Sequence, residues 1–192
     1  GVGLHLMIGC PHEDLNDDAA SVARVVELKV DTVRIHPLLV IEGTELAGRT
    51  DFTPITLENA VERTAKMVSS LEQNGISIIR MGLQDNELLA AQVIAGPYHP
   101  AFGELVRGRI LLNQILNQVP AEKEISTFEL HLGTKNAAKM KAQKNYQINE
   151  LRSRLNYNSF ILKTLEVQND DKSEIRIRYA DGATECRQIE FS

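Results

Sequence analysis

Two strand-and-loop segments, residues 4–13 (LHLMIGCPHE) and 33–46 (VRIHPLLVIEGTEL), stand one short amphipathic helix apart and constrain this chain more than any other feature. Residues 4–8 are apolar at nearly every position, the pattern of a strand buried on both faces of a parallel sheet, and Gly9 and Pro11 end it. Asn16 is the predicted helix N-cap. Asp17 and Asp18 follow where the helix dipole favours anions, and Ala19, Val22, Val25, Val26 and Leu28 give an apolar stripe. Residues 32–35 resume as a strand, so residues 4–41 read as a parallel βαβ unit. A barrel or a doubly wound sheet follows from that unit.

The pattern repeats once. After the polar loop 42–54, Thr56 is predicted to cap a second helix carrying Leu57, Val61, Ala65, Val68 and Leu71, with Gly75 as its left-handed stop. Residues 76–81 (ISIIRM) return as a strand. Residues 86–94 read as helical, and 95–102 (AGPYHPAF), with two prolines and a glycine, as a turn-rich crossing, which places a domain boundary at 94/95. Beyond it come a helix over 101–117, an alternating strand over 125–132, a basic helix over 136–155 and strands over 160–167, 174–179 and 184–191. Asp181-Gly182 signals a hairpin between the last two. Residues 1–94 are thus expected to be α/β and residues 95–192 a small accessory α+β module.

With 43% hydrophobic residues but only 5% aromatic, the core must be aliphatic. The longest apolar runs are too short to cross a bilayer, and no charged region followed by an apolar stretch marks a secretory signal, so no membrane partner and a cytoplasmic location are expected. Cys10 and Cys186 are the only cysteines, which suggests neither a disulfide framework nor a zinc site. The chain begins without Met and inside a strand, as a fragment of a longer protein would. The net charge of −5 hides an asymmetry. Residues 133–155 carry six basic side chains against Glu150, about +5, leaving about −10 elsewhere. Lys139, Lys141 and Lys144, with Tyr146 as a stacking ring, are candidate contacts to tRNA or another RNA; the alternative is a solvated helix face.

At residues 9–13 a Gly-x-Pro-x-Glu turn follows the first strand, where glycine lets a ligand approach the backbone; a tight strand-to-helix turn explains the same residues. Taken with His36-Pro37-Leu38-Leu39 and Glu42-Gly43-Thr44-Glu45-Leu46 one βαβ interval later, the chain resembles the radical S-adenosylmethionine (radical SAM) superfamily. IGCPHED and IHPLLVIEGTEL look like the fifth and sixth strand regions of its partial barrel. Gly82-Leu83-Gln84 and the run from Ala95 to Phe102 resemble the continuation in bacterial proteins related to the elongator catalytic subunit. Some of those are labelled oxygen-independent coproporphyrinogen oxidases because they share the barrel.

The resemblance implies an α/β fold, the last βαβ portion of a radical SAM partial barrel, followed by the α+β module. It also implies that Ile8, Gly9, Leu38, Leu39 and Val40 offer mostly backbone contacts to the adenine end of S-adenosylmethionine. His12 stands where the family usually has glycine. The family's CxxxCxxC motif, whose thiolates hold a 4Fe-4S cluster, is absent. No cofactor, catalytic residue or metal ligand is therefore expected in this chain. The cluster and S-adenosylmethionine would belong to the full-length parent, and the missing N-terminal half would be this chain's partner. That parent, an oxidoreductase or transferase, would cleave S-adenosylmethionine to a 5′-deoxyadenosyl radical acting on a tRNA base or a porphyrinogen-like substrate, and the present chain would be inactive alone. A non-catalytic RNA- or protein-binding module is the alternative. Cys10, His12 and Glu13 form the one local cluster of potential ligands and are read as turn residues; His36 is expected to be satisfied by a backbone carbonyl and His99 to pack in its loop.

Overall fold

Side-by-side parallel pairing of β1 (Gly3–Ile8) with β2 (Thr32–Pro37) organises the first half of the computed structural model, which describes residues 1–83, 87–119, 125–155, 157–165 and 172–190. The chain divides into two units, Gly1–Val106 and Arg107–Ser192. In the first, α1 (Leu15–Glu27) joins β1 to β2; the short β3 (Val40–Ile41), α2 (Leu57–Gln73) and β4 (Ser77–Met81) follow. The strand order β1-β2-β4, parallel throughout, is that of consecutive βαβ steps in an α/β fold.

Helix α1 begins slightly earlier than its sequence suggests. Asp14, in an extended conformation, is the N-cap: its carboxylate accepts from the amides of Asn16 at 2.6 Å and Asp17 at 3.3 Å. The Asp17 carboxylate reaches back to the Asp14 amide at 2.8 Å, completing a capping box. Asn16 is displaced from that role because it is already helical. Thr56 caps α2 as expected, its hydroxyl accepting from the Asn59 amide at 3.2 Å, and Gly75 turns the chain at φ +76°.

The two helices cover one face of the sheet. Ile8, Val33 and Ile35 are fully buried there, with Val22 and Val25 from α1 and Val61, Ala65, Val68 and Leu71 from α2. Each such valine, leucine or isoleucine side chain stabilises the unit by about 1.5–3 kcal/mol. Between the helices, Asp18 and Arg63 form a two-pronged ion pair at 2.6 and 2.8 Å, and Arg63 also donates to the Asp14 carbonyl at 3.1 Å. The opposite face is exposed, so the expectation that residues 4–8 are buried on both sides is corrected. His5 and Met7 face solvent, Met7 at 52% exposure, and Leu4 and Leu6 are half-buried. The reason is that both helices lie on the other face, where Ile8, Val33 and Ile35 are buried.

After β4 come α3 (Glu87–Gln92), β5 (Val93–Ala95) and α4 (Phe102–Asn117); Gln84, which belongs to one quoted motif, lies outside the described residues. The division at Val106/Arg107 lies beyond the 94/95 position read from sequence because Phe102, Leu105 and Val106 are buried.

The second unit is a four-stranded sheet in the order β7-β6-β8-β9, built from β6 (Ile125–Gly133), β7 (Tyr157–Leu165), β8 (Lys172–Tyr179) and β9 (Thr184–Glu190). β6 and β7 run parallel, joined through α5 (Thr134–Arg154), and the other pairs are antiparallel. The ends expected at Val167 and Phe191 lie outside the described residues. Phe128, Leu130 and Leu132 alternate into a core with Met140, Leu151, Ile175 and Ile177. The Asp181-Gly182 hairpin forms: Gly182 sits at φ +87°, its amide donates to the Tyr179 carbonyl, and the Ala183 amide donates to the Asp181 carboxylate at 2.9 Å. The basic helix, however, is two helices. Ala142 is extended and Gln143, Lys144 and Asn145 are left-handed, so α5 breaks between its buried sets Asn136/Ala137/Met140 and Gln147/Ile148/Leu151.

Candidate functional site

The three parallel strands end on a common edge, the side of such sheets where ligands ordinarily bind. Ile8 pairs with Pro37, the Leu38 amide donates to the Ile8 carbonyl at 2.9 Å, and the Gly82 amide donates to the Ile35 carbonyl at 2.9 Å. Residues Ile8, Gly9, Leu38, Leu39 and Val40 therefore lie together, although separated by a whole βαβ step in sequence. Ile8, Leu39 and Val40 bury their side chains, which leaves mainly backbone at this edge. β5 pairs antiparallel with β3, setting Ala95 opposite Val40. At Gly96, φ +109°, a Cβ would lie 3.0 Å from the Leu38 carbonyl oxygen and 3.2 Å from the Leu39 Cα, so only glycine lets this segment close on the loop after β2.

Gly9 has φ +78°, and a Cβ there would meet the Ile55 side chain at 2.8 Å. Packing and backbone conformation thus explain this glycine. The turn beyond it is tied by the Cys10 amide donating to the Glu13 carboxylate at 3.1 Å and the Glu13 amide donating to the Cys10 carbonyl at 3.2 Å. Its tightness survives the histidine, because His12 itself adopts φ +69°. A non-glycine residue in that region costs about 1–2 kcal/mol, partly offset by the ~0.5–1 kcal/mol entropy penalty of glycine. His12→Gly should therefore stabilise the protein by about 0.5–1 kcal/mol, seen as a higher urea midpoint at unchanged slope.

Burial, then the neighbouring Glu13 carboxylate, raises the Cys10 thiol above its usual range, so at neutral pH it is a protonated thiol. Among the described residues no group of three or more His, Cys, Asp or Glu side chains is arranged to hold a metal. His36 Nδ1 lies 3.0 Å from the Gly82 carbonyl, to which it donates. Burial, opposed by that hydrogen bond and reinforced by the charges of His5, Arg80 and Arg34, holds its imidazole below the usual histidine range. His99 Nδ1 accepts from the Ala101 amide at 3.1 Å inside its own loop.

A second set of residues on this sheet escaped the sequence reading. On the exposed face, His5, Arg34 and Arg80 line up across β1, β2 and β4, with His36 in the next row. The sequence signal was three polar residues at strand positions otherwise apolar.

In the second unit, Lys139, Lys141 and Lys144 are exposed. The break in α5 separates Lys144 from the other two, and Lys139 Nζ donates to Asn136 Oδ1 at 3.1 Å. Tyr146 is half-buried beside the buried Arg109, whose guanidinium carbon lies 5.9 Å from its ring centre. The ring offered as a stacking platform is already occupied on that side.

Residues 30–111 match the family described as the radical SAM C-terminal domain. Over that stretch the chain resembles a radical SAM C-terminal domain. The matched range begins at the residues leading into β2 and takes in the loop after it, α2, β4 and the β3–β5 ribbon. A relative, the tRNA uridine(34) acetyltransferase of Methanocaldococcus jannaschii, is 32% identical over 111 residues, 55% of this chain and 20% of that protein. The chain thus spans about a fifth of that relative's length. That family implies S-adenosylmethionine and a 4Fe-4S cluster in a full-length radical SAM protein. This chain's own donors do not fit the cluster: three grouped thiolates are needed, and Cys10 and Cys186 lie in different units. No helix among the described residues is long and apolar enough to cross a membrane.

Proposed function

We propose that this chain is the C-terminal part of a radical SAM protein that acts on RNA, in which the first unit completes the barrel edge beside the adenine of S-adenosylmethionine and the second contributes to RNA binding. The observation that carries the reading is the match to the radical SAM C-terminal domain at residues 30–111, joined to a relative named for a tRNA uridine. In this reading Ile8, Gly9, Leu38, Leu39 and Val40 present backbone to the adenine, in keeping with the buried side chains of Ile8, Leu39 and Val40 and the shared strand edge. Cluster and radical chemistry reside in the rest of the parent, and the chain alone is inactive. An RNA base is favoured over a porphyrinogen because the basic segment around α5 is suited to phosphates.

The test is tRNA binding by the full chain over a range of salt. If Lys139, Lys141 and Lys144 each contact a phosphate, every substitution by alanine should flatten the slope of log K against log salt by about 0.7–0.9, and equally for different RNA sequences. Stability should stay within about 0.5 kcal/mol of wild type, since all three are exposed. Equal affinity and slope for wild type and the triple variant would show the segment to be a solvated surface and remove the RNA role from the second unit.

A further inference from the structure

The exposed face of the first unit's sheet carries an electrostatic arrangement that the reading above does not use. In register, His5 lies opposite Arg34, and Arg34 lies opposite Arg80. That second pairing depends on an irregularity: Val33 pairs with Ile78 but Arg34 with Arg80, so Ile79 is an inserted residue, left 52% exposed. Without the bulge Arg34 would face an isoleucine. With it, two arginines face each other across neighbouring strands, about 4.8 Å apart in backbone spacing.

Like charges directly opposite one another destabilise a sheet. Among the described residues neither arginine stands in an ion pair with an acid; the ion pairs of the unit, which include Arg24–Glu27, Arg49–Asp51, Arg63–Asp18 and Lys66–Glu62, lie elsewhere. Arg34 Nη1 instead donates to His5 Nε2 at 2.7 Å. The His5 and His36 rings stand 5.6 Å apart. The surface therefore presents two guanidinium forks beside an imidazole, with no matching anion among the described residues.

We propose that this row is an oxyanion site, in which a phosphate group bridges the guanidiniums of Arg34 and Arg80 with His5 at its margin. Planar guanidinium forks match phosphate oxygens in pairs, and a bridging dianion converts the repulsion between the two arginines into attraction to a common partner. The phosphate can be a free phosphomonoester or a phosphodiester of a nucleic acid, and the site is read from the sheet alone, independently of the RNA reading of the second unit.

The experiment is titration of the full chain with inorganic phosphate, followed by the arginine side-chain N–H and histidine ring NMR signals. Signals of Arg34, Arg80 and His5 should move together and saturate with a Kd near ~1 mM. Arg34→Gln and Arg80→Gln should each weaken binding about tenfold or more, Arg34→Lys and Arg80→Lys less, and Lys139→Ala not at all. Thermal unfolding is the second readout: without phosphate, Arg80→Gln should unfold at a temperature equal to or above wild type, and phosphate should raise the wild-type midpoint while leaving the variant's unchanged. Adenosine 5′-monophosphate and a short RNA lacking terminal phosphates distinguish the sources. Competition by the first alone assigns a phosphomonoester, competition by both a phosphodiester-tolerant site, and either supports the proposal. Phosphate shifts that are absent, or identical in wild type and both glutamine variants, overturn it. Loss of tRNA binding on lysine substitution with the phosphate shifts intact would locate the RNA contacts in the second unit and leave this site standing.

Discussion

Asp18→Ala is expected to destabilise the protein by about 3–5 kcal/mol, because it leaves the Arg63 guanidinium charged, nearly solvent-free and without its carboxylate. The side chains of Arg63 and Asp18 are only 5% and 8% exposed, and two of the guanidinium's hydrogen bonds end on that one carboxylate. Against a total stability of roughly 5–15 kcal/mol for a domain, the loss is large. Urea unfolding checks it. Replacing both partners with apolar residues of similar volume, Asp18→Leu with Arg63→Met, should recover most of the loss, since what costs is the orphaned charge rather than the missing pair. A single-variant loss under about 1 kcal/mol would mean that water reaches the guanidinium and that the α1–α2 contact is apolar in origin.

The second large effect is expected at the end of β4. Gly82 has φ +76°, and a Cβ there would lie 2.8 Å from the Cβ and 3.1 Å from the Cδ1 of Phe102, itself 2% exposed. Gly82→Val therefore combines a left-handed backbone penalty of about 1–2 kcal/mol with overpacking of about 1–3 kcal/mol. A loss near 3 kcal/mol follows, read as a lower unfolding midpoint. Gly43 is the control. It has the same φ of +76°, but a Cβ at that position would meet nothing within 4 Å, so Gly43→Ala should show the backbone penalty alone. Equal losses at the two positions would show that Phe102 moves aside freely.

The βαβ framework was legible because its signals are local. The stripe of Val22 and Val25, the Thr56 cap and the Asp181-Gly182 turn each need only a few neighbouring residues to be read. The failures share the opposite property. Asn16 and Asp14 are both good cap residues, and only the backbone conformation chooses between them. The apolar run at 4–8 looks buried on both sides until the fold puts both helices on one face of the sheet. The break in α5 hides because its two buried triads, 136/137/140 and 147/148/151, keep the spacing of one continuous helix. The Arg34–Arg80 pairing needs a register between strands more than forty residues apart and a bulge that no local signal announces. For the strand-edge residues, sequence placed Ile8 and Gly9 beside Leu38, Leu39 and Val40 through family resemblance, while the clamp of Gly96 on that loop emerged only from the fold.

Among the described residues β1 is hydrogen-bonded along one side only. Its other side offers a row of amide and carbonyl groups, and the strand GLHLMI contains none of the lysines or prolines that proteins use to blunt such edges. β4, at the other end of the same sheet, is likewise paired on one side only. An extended segment laid along β1 would find amides and carbonyls spaced to continue the sheet.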